Sequence, residues 1–209
     1  MLEFLFGKRG PEILPDKIWM TEKAKWGGLA EDARTTLASG RAVLIVSHFP
    51  ETQTLLGKVL PEARKISGPL WPEPILSSQD PLSWPWHEWP SPPPETVAKR
   101  AGGLSVLFAE HFPLPGRPQE LSGKLAGWSA VIDLRSYSSL EDPVIAAFGG
   151  DGRLKDMLVK LGMKEDEAIE SQLVANSIAA AQKRIEKQAA TRLPAPNALS
   201  WLRQNLPAS

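Results

Sequence analysis

The residues that could do chemistry are few and poorly placed for it. Cradling a nucleotide phosphate requires G-x-x-x-x-G-K-[ST], so that backbone N–H groups, an ammonium and a hydroxyl converge on the oxygens. The Gly-Lys pairs are Gly7-Lys8, Gly57-Lys58 and Gly123-Lys124, and none is followed by Ser or Thr or preceded by the required glycine. Ser47-His48 could pair a nucleophile with a base, but no G-x-S-x-G elbow surrounds them. His48, His87 and His111 stand apart, without the spacing of metal ligands. There is no cysteine, hence no disulfide framework, thiolate metal site or cysteine nucleophile. The residue types therefore predict no catalytic residue, metal or cofactor.

One stretch stands out instead. Of the chain's 20 prolines and 8 tryptophans, a large share falls between about 69 and 94, around Trp71, Trp84, Trp86, His87 and Trp89. Tryptophan anchors interfaces, and proline lowers the ordering cost of binding. These five residues are the candidate partner-binding set. The alternative is a loop whose rings fold back over the sheet and serve packing.

The elements that would hold these residues follow from periodicity. Residues 1 to about 19 read as a lead-in broken by Gly10-Pro11 and Pro15. Thr21-Glu22 opens a helix to about Ala38, with Leu29, Ala33 and Leu37 on one face. Arg41–Ser47 is a continuous apolar run that predicts a strand buried on both faces, as in a parallel sheet. A helix over Glu51–Leu60 follows, and residues 61–94 show no period. Strands are expected at Leu104–Ala109 and Ser129–Leu134, with a short helix at Glu120–Leu125 between them. Past Glu141 only helices are expected, over Asp142–Phe148, Arg153–Leu161, Ser171–Ala190 and Asn197–Leu206. Strand and helix alternation followed by helices alone predicts α/β: a sheet domain over 1–140 carrying the Pro/Trp-rich insertion, and a helical extension over 141–209 packed on it.

Lys+Arg and Asp+Glu both number 24, so no net charge draws the chain to nucleic acid. Lys183-Arg184 and Lys187 are interrupted by Glu186 and read as a solvated helix face. No apolar run is long enough to span a bilayer, and the opening Met1–Phe6 is too short for a signal-peptide core. A cytoplasmic address is expected.

Several segments together resemble a known family. Leu140-Glu141-Asp142 through Phe148-Gly149, then Leu161-Gly162-Met163, is similar to the L-E-D-x-L-x-x-x-F-G … L-G-M pattern of the SecA preprotein-translocase ATPases. Glu167–Ser171 and Ile178–Glu186 continue it, and Arg135–Leu140 lies on the family's R-F-Y-L-S-L. Upstream, Gly102-Gly103-Leu104, Glu110 and Leu121 fall on G-G-L … T-E-R-H-E … Q-L-R-G-R-x-G-R, and Gly40–Val46 resembles the start of the second motor domain. The resemblance implies a RecA-like, P-loop NTPase-like three-layer parallel sheet with a C-terminal helical extension.

The departures bear on activity. In this family ATP lies between two RecA-like domains, and the second supplies arginines to the γ-phosphoryl group. Those arginines fall here on Ser122, Lys124 and Gly127, and the threonine before Glu110 is replaced by Ala109. Serine and glycine carry no guanidinium, and lysine offers a point charge where a planar fork is needed. The expectation is a stand-alone pseudo-ATPase, not an enzyme. Its partner would be another protein or a second copy of itself, and the resemblance points toward Sec translocation components. The alternative is a nucleotide-binding regulatory protein, or half of a split ATPase completed in trans.

Overall fold

The computed structural model describes residues 10–65, 81–86, 103–126, 131–148 and 162–207, together with Asp156, Val159 and Lys160. Among them the strands are β1 (Glu12–Ile13), β2 (Lys17–Trp19), β3 (Ala42–Ser47), β4 (Arg64–Lys65), β5 (Leu82–Pro85), β6 (Leu104–Phe108) and β7 (Ile132–Ser139). The helices are α1 (Glu22–Ala38), α2 (Pro50–Val59), α3 (Arg117–Leu125), α4 (Pro143–Phe148), α5 (Gln172–Gln188) and α6 (Ala198–Asn205).

The sheet runs β1-β7-β6-β3-β5-β4, with β2 also pairing with β7, and every pairing between these strands is parallel. Alternation along the strands divides the core into two layers. Leu44, Val46, Val106, Phe108, Ile132 and Leu134 face α3 through Leu121 and Leu125. Val43, Ile45, Leu107 and Tyr137 face α1 and α2 through Trp26, Leu29, Ala33 and Leu56. This is the three-layer α/β class expected of a RecA-like domain. The extension packs at the sheet's carboxyl end: Ala181 and Ile185 of α5 and Trp201 and Leu202 of α6 meet Phe49, Leu114 and Val144.

Helix α1 forms where expected, with Thr21 Oγ1 accepting from Ala24 N at 3.2 Å as its cap. Helix α5 forms within the expected Ser171–Ala190 and buries Val174, Ile178, Ala181 and Ile185, which recur at the spacing of one helix face. Other expectations need correction. The lead-in is not loose: β1 and β2 lie end to end along β7, and Ile18, Trp19 and Met20 are buried. Pro15 splits this edge because it lacks an N–H. The third strand spans Ile132–Ser139 and so runs past its expected end at Leu134, with Ser136, Ser138 and Ser139 buried despite their polarity; Ser129 and Ala130 of the expected strand lie outside the described residues. The segment without period contributes β4 and β5, and β5 holds Leu82, Ser83, Trp84 and Pro85 beside β3. Helix α3 begins at Arg117, three residues before its expected start. The expected helix over Arg153–Leu161 lies mostly outside the described residues.

Gly103 sets the entry to β6. Its φ is +87°, and an added Cβ would lie 2.0 Å from the Val131 carbonyl oxygen. That carbonyl accepts from Leu104 N at 2.9 Å, so it cannot withdraw without breaking a ladder bond. Gly103→Ala is expected to lower stability by about 1–3 kcal/mol, measured by urea denaturation; Gly57→Ala, on open helix surface, should not destabilise.

Candidate functional site

The connection from β3 through α2 and the connection from β6 through α3 leave on opposite faces and run in opposite directions along the sheet. Open α/β sheets bind ligands at the carboxyl ends of strands beside such a reversal. Here that place is formed by Ser47-His48-Phe49 after β3 and Glu110-His111-Phe112 after β6.

A cleft of about 520 Å³ opens beside it. The amino ends of α1, α2, α4 and α6 all contribute to its wall through Glu22, Glu51, Pro143 and Ala198. Helix amino ends carry unpaired N–H groups and partial positive charge, and together they would form an anion site. The protein closes each of them itself. Glu110 Oε1 accepts from His48 N at 2.9 Å and Phe49 N at 3.2 Å, ahead of α2. Its Oε2 meets Thr52 Oγ1 at 2.5 Å. Pro50 brings no N–H to this turn, and Glu51 N donates to Pro196 O at 3.1 Å. At α1, Glu141 Oε2 accepts from Glu22 N at 2.9 Å. At α4, Asp142 Oδ1 accepts from Val144 N at 2.9 Å, and at α6 Asn197 Oδ1 accepts from Ser200 N at 2.7 Å.

The cleft's charge adds to this. Glu22, Glu51, Glu110 and Asp142 line it against Lys25 and Lys58. Lys25 is buried, with its ammonium 3.8 Å from Glu22 Oε1 and 4.2 Å above the Trp26 ring. Burial pushes the Glu110 carboxyl up to about 7, against the opposing pull of the Thr52 hydroxyl, Lys25 and the His48 N–H.

On the α3 side of this point the surroundings are aromatic. His48 stacks on Phe108, with ring centres 5.6 Å apart, and lies 5.3 Å from Trp86 and 5.5 Å from Phe112. Its Nδ1 is buried without a partner among the described residues, and burial, with Arg117 and His111 nearby, pushes its pKa down to about 3. A neutral imidazole so depressed is a poor base at neutral pH. His111 Nε2 is 3.1 Å from Asp16 Oδ2; burial opposes its protonation, but Asp16 overcomes this and raises its pKa. The guanidinium of Arg117 covers Trp86 at 4.8 Å and Phe112 at 4.5 Å.

No family model matches the chain. SecA of Clostridium kluyveri is 28% identical over 193 residues, covering 84% of this chain and 22% of that protein. SecA of Clostridium tetani is 39% identical over 87 residues, 42% of this chain and 10% of that protein. SecA 1 of Rhodopirellula baltica is 39% identical over 92 residues, 44% of this chain and 7% of that protein. The chain is similar to part of SecA. It spans about a fifth or less of the length of these curated relatives. A solved structure of the C-terminal part of the Fun30 ATPase domain superposes with a TM-score of 0.40 at 11% identity, covering 78% of this chain and 54% of that one.

In this SecA-like chain Ser122 and Lys124, two of the positions that the resemblance sets against the family's arginines, do not line the cleft. Ser122 is half-buried on α3, and Lys124 is exposed, paired with Glu120 at 2.9 Å and 5.1 Å above Trp86. Gly127 lies outside the described residues. Of the candidate partner-binding set, Trp86 is half-buried within the aromatic cluster. Trp84 sits in β5 opposite Val46. Trp71, His87 and Trp89 lie outside the described residues. Sequence reasoning matched Glu110 to a family position without seeing what it holds, and missed Thr52, Phe112 and Arg117. A lone acid directly after a buried strand was the available signal. Among the described residues no group of His, Asp or Glu could hold a metal, and no helix is long and apolar enough to cross a membrane.

Proposed function

We propose that this chain is a non-catalytic, SecA-like protein-interaction module that acts in protein translocation. Two observations together support the reading: the positions that fall on the family's arginines are not arginine here, and Glu110 accepts from His48 N and Phe49 N just ahead of α2. The other helix amino ends in the cleft are closed by Glu141, Asp142 and Asn197. A polyphosphate would have to displace these groups and enter beside four carboxyls facing only two ammoniums. Serine and lysine at two of the aligned arginine positions leave no guanidinium fork there for a γ-phosphoryl group.

The test is thermal denaturation with ATP–Mg²⁺ and with ADP. No shift is expected from either. A ligand at one hundred times its dissociation constant adds about 2.7 kcal/mol, so a clear shift would overturn the reading in favour of a nucleotide-binding or split-ATPase role. The translocation assignment rests on the resemblance to SecA and is tested separately, by affinity capture from native lysate. Recovery of Sec components is expected. Their absence from the captured proteins would remove the translocation role while leaving the non-catalytic reading in place.

A further inference from the structure

The other end of the sheet holds a second recess. A pocket of about 330 Å³ lies beneath the carboxyl half of α1, against the beginnings of β6 and β7. It shares no residue with the cleft at the strand carboxyl ends.

Its charged lining is Lys17, Arg41 and Arg135 against Asp32 and Asp133. The carboxylates are already engaged. Asp32 accepts from Lys17 Nζ at 3.0 and 2.7 Å and from the Tyr137 hydroxyl at 2.8 Å. Burial, with Asp32 alongside, raises the Tyr137 pKa, so the phenol remains a donor. Asp133 is held by Arg41 Nη2, and Arg41 Nε donates to Ser105 Oγ at 2.8 Å.

The donors are not exhausted. Arg41 Nη1 and Arg135 Nη2 have no acceptor among the described residues. Arg135 Nη1 is taken by the exposed Glu170 at 3.0 Å, and its Nε is buried without a partner among the described residues. Each of the three cations has a carboxylate partner, Glu170 reaching Arg135 from outside the lining, yet guanidinium N–H groups remain without acceptors among the described residues. A neutral sugar would need donors and acceptors in balance, and a cation would meet carboxylates already neutralised. An oxyanion supplies what is missing: acceptor oxygens in the plane of the remaining guanidinium donors.

We infer that this pocket binds a small oxyanion, a phosphate monoester or a carboxylate, through Arg41 and Arg135. The site is independent of the cleft closed by Glu110 and does not depend on how that cleft is read.

The experiment is a ¹H–¹⁵N NMR titration of the full chain with inorganic phosphate and with acetate, at constant ionic strength against chloride. Saturable shifts at the amides of Thr35, Thr36, Ser39 and Arg41 are expected with at least one probe. Saturation by phosphate alone assigns the phosphate class, and saturation by acetate alone assigns the carboxylate class. Arg135→Gln should weaken binding at least tenfold, with Arg135→Lys in between. Thr35 is exposed at the rim. Thr35→Glu leaves the Arg135–Glu170 pair intact and should weaken binding at least as much by repulsion. Unsaturable shifts with both probes, or wild-type affinity in a folded Thr35→Glu chain, would overturn the site.

Discussion

Glu110→Ala is expected to destabilise the chain by about 2–4 kcal/mol, because it leaves the His48 and Phe49 N–H groups buried without an acceptor. In a domain of this size that lowers the melting temperature by on the order of 5–15 °C. Glu110→Gln keeps one carbonyl oxygen for the two N–H groups and should lose much less. Urea denaturation of both variants reads the difference; equal, small losses would show that the carboxylate does not hold this corner together.

The pH dependence gives a second readout. The Glu110 carboxyl is raised from an ordinary 4.5 to about 7 in the folded chain, so the folded state binds its proton more tightly than the unfolded state. Its contribution is fully present below about pH 4.5 and is lost as pH rises through 7, to a total of about 3 kcal/mol. When protonated, Oε2 can donate to Thr52 Oγ1 while Oε1 still accepts from the backbone. His48 acts in the opposite sense. Its pKa is lowered from 6.5 to about 3, so its contribution is present above 6.5 and is lost as pH falls below that value. The two oppose each other between about 4.5 and 6.5, and the measurement is therefore the difference between wild type and Glu110→Gln across pH 4.5 to 7.5. A flat difference would exclude a proton held at Glu110 in this range.

Trp201→Ala should cost about 3–5 kcal/mol, the range for emptying a large aromatic from a packed core. Trp201 is 2% exposed and meets Phe112 edge-on at 5.6 Å, within the cluster that fastens α6 to Phe49 and Val144. Its loss should be felt at the cleft as well. Helix α6 follows directly on Pro196, whose carbonyl closes Glu51 N, and on Asn197, whose amide donates to Glu51 Oε2 at 2.7 Å. Hydrogen exchange should speed up at Glu51 and through Ala198–Asn205 in the variant. Leu199→Ala, at an exposed position on the same helix, should change neither stability nor exchange appreciably. Unchanged protection at Glu51 in Trp201→Ala would separate the helical extension from closure of the cleft.

Much of the scaffold was legible because its signals are local. The continuous run at Ala42–Ser47 is buried on both faces, as its composition implies. The stripe on α5 and the cap at Thr21 are written within a few residues of where they act. What escaped were elements stabilised from a distance. Strands β1 and β2 have little apolar pattern of their own and exist because β7 offers an edge. The polar end of β7 is strand because Asp32 and Asp142 meet Tyr137 and Ser138 beneath the helices. Strand β5 lies where prolines mask its pattern, and Pro85 is accommodated at its last residue.

The same division holds for the candidate site. The sequence by itself determined that these residues contain no G-x-x-x-x-G-K-[ST] loop and that serine, lysine and glycine stand at 122, 124 and 127, since a side chain that is absent cannot be restored by folding. It also determined the alternation that makes a parallel sheet. Only the tertiary structure decided which groups meet at the cleft. Glu110 and the His48 amide are 62 residues apart in the chain, and Asn197 is 146 residues from Glu51. Hydrogen bonds across such separations depend on the strand order and on the docking of the last helix, which no local pattern of residues encodes.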